Sequence, residues 1–141
     1  MLRCVIDTNV LLVCVSDKSP LHWIYSSFRA GKFELCVTTD ILAEYAEILE
    51  RHMGPVTSQD TLDSLLSRRN LIAIEPSFRF NLLRDPDDNK FVDCAIAANA
   101  GCIVSHDRDF LPLKDIEFPK MTVVDTYAFR VLLFPSALII P

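Results

Sequence analysis

Four carboxylates stand where chemistry concentrates in this sequence: Asp7, Glu44, Asp88 and Asp107. Asp7 closes the apolar run Leu2-Arg3-Cys4-Val5-Ile6, and Asp107 follows Cys102-Ile103-Val104-Ser105 in the same manner. Ligand sites in open α/β sheets gather outside the carboxyl ends of the strands. A charge at such a place stays ionised only if water, a donor or a cation compensates it. Glu44 sits among Ile41, Leu42, Tyr45 and Ile48, near the start of a helix, where its side chain leans back toward the same edge. Asp88 precedes Phe91, Val92, Ala95 and Ile96 at helical spacing, which puts it at the end of a buried stripe. Acids from separate segments can thus converge at one rim. Close carboxylates repel and push one another's pKa upward. A hard divalent ion, Mg²⁺ or Mn²⁺, relieves that repulsion, lowers the pKa of a bound water and stabilises charge developing at phosphorus. With no Cys or His in the set, zinc is disfavoured.

Two polar neighbours belong to the same picture. Asn9 is placed to orient Asp7 or a metal-bound water, and Ser105 either caps the strand end or touches a ligand or water. Other acids compete for the third and fourth roles. Asp87, one step before the expected helix, reads as a cap. Asp93 lies five residues past Asp88 and so on roughly the opposite helix face. Asp85 belongs to the polar turn, and Asp109 reads as a surface-turn residue. Either Asp87 or Asp93 would replace Asp88 if that assignment failed. His106 beside Asp107 reads as a solvent-facing histidine. Arg51, Arg68, Arg69, Arg79, Arg84, Lys90 and Arg108 are available for phosphate contacts.

Positioning these residues requires strands that alternate with helices. The patterns predict strands over residues 2–6, 33–38, 71–74, 102–105 and 121–124. A helix follows Pro20 and stops at Gly31; another is capped by Thr39 or Asp40 and ends at Met53-Gly54-Pro55; a third starts at Thr57 or Ser58. Arg84-Asp85-Pro86-Asp87-Asp88-Asn89 reads as a polar turn before an Ala-rich helix over 88–100, with Gly101 as its C-cap. The last helix covers 126–133. This alternation implies an α/β fold, a three-layer α/β/α arrangement with a central, mainly parallel sheet of 4–5 strands.

At 141 residues the chain is read as a single domain over 1–141 with one core. A net charge of -5 argues against gripping nucleic acid by bulk electrostatics, but not against an enzyme whose acidic centre binds cations. The five cysteines are odd in number and mostly within apolar runs, with no CxxC pair, so buried reduced thiols and a cytoplasmic location are expected. The apolar tail over 131–140 is broken by Pro135 and falls well short of the ~20 residues of a membrane span. It is read as packing or a subunit interface.

The stretches VIDTNVLL, TTDILAEYAEIL and RDPDDNKFVDCAIAANAGCIVSHDRDF, in this order and spacing, resemble the PIN-domain ribonucleases over nearly the whole chain. The closest branch has a DPDD-type turn before its third acid and includes toxins of toxin–antitoxin pairs. By position, the resemblance assigns the four family acids to Asp7, Glu44, Asp88 and Asp107, with Asn9 and Ser105 in support. It implies a single-strand-specific endoribonuclease using one or two Mg²⁺ or Mn²⁺ ions, commonly a homodimer, with RNA as substrate and an antitoxin as possible partner. A PIN-fold RNA- or protein-binding module without catalysis is the alternative. A haloacid-dehalogenase-type phosphatase also places an Asp after its first strand, but wants a second Asp where this chain has Asn9.

Overall fold

Apolar runs too short for helices become the strands, and the computed structural model, which describes residues 1–138, joins them into one sheet. The strands are β1 (Arg3–Ile6), β2 (Glu34–Val37), β3 (Leu71–Ala73), β4 (Cys102–Val104) and β5 (Val123–Val124). The helices are α1 (Thr8–Cys14), α2 (His22–Arg29), α3 (Thr39–Leu66), α4 (Pro86–Ala97) and α5 (Thr126–Leu133). Two 3₁₀ stretches, Arg108–Asp115 and Pro135–Leu138, complete the described chain. Residues 139–141, and with them the last two residues of the apolar tail, lie outside the described residues.

The five strands are all parallel and run in the order β3-β2-β1-β4-β5. Such a sheet has both faces covered, and its strands read as near-continuous apolar runs. Cys4, Val5, Ile6, Ile103 and Val104 are accordingly buried. Register pairs Cys4 with Leu35 on one side and with Cys102 on the other. The chain runs outward from β1 through β2 to β3, then returns to place β4 on the opposite flank of β1. The carboxyl ends of β1 and β4 therefore form the switch point of the sheet, where clefts open. Helices flank the sheet in a three-layer α/β/α arrangement, with α4 packed across β1, β2 and β4. All five cysteines are free and buried, as expected of thiols inside apolar runs.

Several local details differ from the sequence reading. A helix absent from the sequence pattern, α1, begins immediately after β1, with Asp7 as its N-cap accepting from the Val10 amide. Thr38, one residue before the expected caps, starts α3 by accepting from the Ile41 amide at 3.1 Å. The break expected at Met53-Gly54-Pro55 is present: Gly54, at φ 80 and ψ 169, is not helical, and α3 is two helices meeting at that kink, the second running to Leu66. Glycine takes that left-handed conformation without steric penalty. The Ala-rich helix starts two residues earlier than expected, because Asp85 caps it and Pro86 suits its first position. Its C-terminal signal is not Gly101: the left-handed residue is Asn99, at φ 52. Gly101 instead permits close approach, since a Cβ there would lie 2.7 Å from the Leu2 side chain.

Candidate active site

Asp7 reaches the switch point because β1 ends on it and α1 starts from it. It is 6 % exposed, and its carboxylate is held at both oxygens. Oδ1 accepts from the Val10 amide at 2.9 Å, and Oδ2 accepts from the Ser105 hydroxyl. Ser105 Oγ in turn accepts from the Asp107 amide at 2.9 Å, so one hydroxyl joins the ends of β1 and β4. Burial pushes the Asp7 pKa up, the Ser105 and Val10 hydrogen bonds oppose that, and the nearby Asp107 raises it further. Asn9 is exposed on the first turn of α1. The Asp7 carboxylate is thus oriented by Ser105 and Val10.

Asp88 lies in the first turn of α4. Its Oδ2 is buried and has no hydrogen-bond partner. Its pKa is pushed up to about 6, first by burial and then by the charges of Asp85, Asp107, Asp109 and Asp7. Every one of those neighbours is an acid. Asp85, Asp88 and Asp109 can each offer an oxygen such that all three lie within 4.8 Å of one another. Asp107 caps the following 3₁₀ stretch, its Oδ1 accepting from the Asp109 amide at 2.9 Å, and remains exposed. The charges of the expected acids Asp7 and Asp107 are felt at Asp88, so the three share one edge of the sheet. Asp85 and Asp109, which the sequence offers only as competitors for the third and fourth roles, are the acids whose oxygens come within 4.8 Å of an Asp88 oxygen. The available signals were the Asp-Pro start of α4 and the Asp-Arg-Asp spacing after β4.

Glu44 occupies a different environment nearby. Its Oε1 accepts from Lys90 Nζ at 2.7 Å, and its Oε2 accepts from the Thr8 hydroxyl, next to Asp7 in sequence. It lines a groove of about 1140 Å³ between α3, the segment after β3 and α4. Glu47, Arg51, Arg79, Asp87, Lys90 and Asp93 also line it. Within it Arg51 pairs with Glu47 at 3.0 Å. The pairing of Glu44 with Thr8 and Lys90 was not legible in the sequence, which offers Lys90 only as a phosphate contact.

The competing acids have other duties. Asp93 is buried and accepts from the Phe80 amide at 3.1 Å. Asn89 exchanges two hydrogen bonds with the backbone of Leu83, so α4 clamps the segment that precedes it. Asp87 is exposed in the first turn of α4; the cap it was expected to form belongs to Asp85, whose Oδ1 accepts from the Asp87 amide at 2.9 Å. His106, although exposed, pairs through Nε2 with Thr126 Oγ1 at 3.0 Å. The donor set at the switch point is all oxygen and all acidic, includes one orphaned buried oxygen, and so could hold a hard metal ion.

Comparison with known proteins identifies the architecture. The family described as PIN domain matches residues 3–109. A protein of Methanocaldococcus jannaschii, MJ1680, is 41 % identical over 122 residues, covering 81 % of this chain and 76 % of that one. Among solved structures, VapBC2 from Rickettsia felis bound to a promoter DNA fragment matches with a TM-score of 0.63 at 19 % identity, over 88 % of this chain and 98 % of that one. DNA-bound VapBC from Salmonella typhimurium gives 0.58 at 15 %, over 89 % and 99 %. The PIN domain of T. brucei RRP44 gives 0.51 at 11 %, over 97 % and 83 %. At these identities the solved structures speak for the fold. No helix among the described residues is long and apolar enough to cross a membrane.

Proposed function

This chain belongs to the PIN domain family, and we propose that it is a metal-dependent endoribonuclease that hydrolyses phosphodiester bonds in single-stranded RNA. The observation that carries the reading is the Asp88 carboxylate, with a buried unpartnered oxygen, facing only other acids. A protein keeps such repulsion where a cation from solution completes the site. Asp7, Asp88 and Asp107 would hold a Mg²⁺ or Mn²⁺ ion, with Asp85 and Asp109 near enough to Asp88 to share it, while Glu44, the fourth expected holder, is engaged by Lys90 and Thr8. When bound, that ion supplies an activated water and stabilises charge building at phosphorus. The chain's own residues orient the centre. Ser105 fixes the Asp7 carboxylate and the Asp107 backbone together, α1 fixes it from the other side, and Thr8 and Lys90 fix Glu44.

Asn9, exposed beside Asp7, is free to reach a water or a phosphate oxygen. We further propose that residues 1–141 act as one domain in the cytoplasm, a setting that suits five free buried cysteines. The likeness to VapBC structures supports the toxin of a toxin–antitoxin pair, with a cognate antitoxin as partner and a homodimer as the assembly.

The test is cleavage of a mixed-sequence single-stranded RNA with Mg²⁺, with Mn²⁺ and with EDTA, beside Asp7→Asn and Asp88→Asn. Metal-dependent cutting that both variants lose is expected. Cutting that survives Asp88→Asn would move the third role to another acid. Folded wild-type protein that cuts no RNA in either metal would leave a PIN-fold binding module as the reading.

A further inference from the structure

We propose that Lys90 is the built-in counter-cation of Glu44, so that the acidic edge takes one divalent ion, at Asp7, Asp88 and Asp107, and no second ion at Glu44. This rests on the nuclease reading above and adds to it an ion count and a positioning role for Lys90.

The geometry of the pair carries the argument. Lys90 Nζ lies 2.7 Å from Glu44 Oε1, with side chains only 18 % and 26 % exposed. The Thr8 hydroxyl takes the other carboxylate oxygen; Asp7 is also held at both oxygens, but by an amide and a hydroxyl, whereas Glu44 is held by a cation. The ammonium also lies 5.6 Å from the centre of the Phe91 ring, whose electron-rich face favours a cation. Lys90 thus has two reasons to stay. A divalent ion on Glu44 would have to displace the ammonium or lie against it, leaving a half-buried positive charge without its partner.

Helix geometry separates the two charges on α4. Asp88 and Lys90 are two residues apart, and side chains at that spacing leave a helix on different sides. Lys90 therefore turns to Glu44 and the groove, while Asp88 turns to Asp7 and Asp107. None of the ion pairs among the described residues involves those three acids. One helix thus leaves one carboxylate cluster unneutralised and neutralises its neighbour.

The experiment counts bound ions by titrating the protein with Mn²⁺ and following the free-ion electron paramagnetic resonance signal. The wild-type protein and Lys90→Arg should each bind one ion. Lys90→Met should bind a second, weaker one, and Lys90→Met combined with Glu44→Gln should return to one. Two ions on the wild-type protein, or Lys90→Met remaining at one, would overturn the proposal. Should Lys90→Met not fold, Glu44→Gln alone decides. Retention of Mn²⁺ affinity within about twofold is expected, whereas a loss of about tenfold or more would make Glu44 a direct ligand and end the proposal. RNA cleavage with two ions bound removes only this inference; a wild-type protein that binds no Mn²⁺ removes the nuclease reading as well.

Discussion

Two acidic regions lie next to each other at the carboxyl edge of the sheet, and the fold treats them in opposite ways. Around Glu44 three carboxylates are answered internally. Lys90 and Thr8 hold Glu44, Arg51 holds Glu47, and the Phe80 amide holds Asp93. Around Asp88 the neighbouring charges are Asp85, Asp107, Asp109 and Asp7, and one oxygen is buried without a partner. Both regions are built on α4 and both are partly buried, so composition alone does not distinguish them. The difference is that Glu44 and Glu47 have an internal cation, whereas the charges that act on Asp88 are all acids. Where the chain supplies one, the carboxylate is fixed in place. Where it supplies none, carboxylate repulsion is kept for a ligand of opposite charge.

The comparison is broken most directly by substituting on each side of it. Asp7→Asn and Asp88→Asn should each lower single-turnover RNA cleavage by about a hundredfold or more, since each removes a charge that holds the ion. Asp93→Asn should lower it by less than about tenfold, because that carboxylate serves the Phe80 backbone and only one hydrogen bond weakens. Equal losses in all three would erase the distinction between the regions.

The next effect is on heat stability. An ion that binds only the folded protein stabilises it by about 2.7 kcal/mol at a hundred times its dissociation constant. For a domain of this size that corresponds to a rise in Tm of roughly 9 °C. Saturating Mn²⁺ should produce such a rise in the wild-type protein and little in Asp88→Asn, measured by differential scanning calorimetry. A full rise in Asp88→Asn would place the ion elsewhere.

The contrast between the regions also explains what was legible in the sequence. The strands were, because Val5, Ile6, Ile103 and Val104 form uninterrupted apolar runs that only a doubly covered sheet requires. Asp7, Asp88 and Asp107 were placed by the same logic, as acids at strand exits and a helix start. Pairing was not legible, since it depends on which side chains three separated segments turn toward one another. Lys90 meets Glu44 across 46 residues and Thr8 meets it across 36, and no periodicity encodes such a meeting. The helix ends were missed for a related reason. Asp85, Asp87 and Asp88 are equally good cap residues by type, and Asp85 wins because Pro86 next to it fits the first helical position. Likewise α1 was overlooked because Asp7 looked like an end, whereas as an N-cap it is also a beginning.

A subtler sharpening removes the ion and asks what the unneutralised cluster does to folding. In EDTA at neutral pH, Asp88→Asn should stabilise the protein, by about 1 kcal/mol, because it deletes a repelled charge at a functional position. Lys90→Met should do the reverse, since it strands the Glu44 carboxylate. Urea unfolding of the three proteins reads both. Destabilisation by Asp88→Asn of the same size as by Lys90→Met would mean that Asp88 is held by an internal partner after all.

The smallest expected effect is the pH dependence of that same repulsion. The folded pKa of Asp88, about 6, lies above its ordinary value of 3.8. Between those values the folded protein binds more protons than the unfolded chain, so stability must fall as pH rises through this window. The sign is opposite to that of a salt-bridged carboxylate. Asp7, also raised by burial, contributes in the same direction. Unfolding free energies at pH 4.5, 5.5 and 6.5 in EDTA, taken as the difference between wild type and Asp88→Asn, isolate the Asp88 part from every other titration. That difference should turn against the wild-type protein as pH rises, by no more than the gain Asp88→Asn shows at neutral pH. Saturating Mn²⁺ should flatten or reverse it, because an ion that holds the carboxylate competes with the proton and stabilises the ionised form. A difference that instead favours the wild-type protein with rising pH in EDTA would show that Asp88 has a cationic neighbour, and the two regions would then be alike.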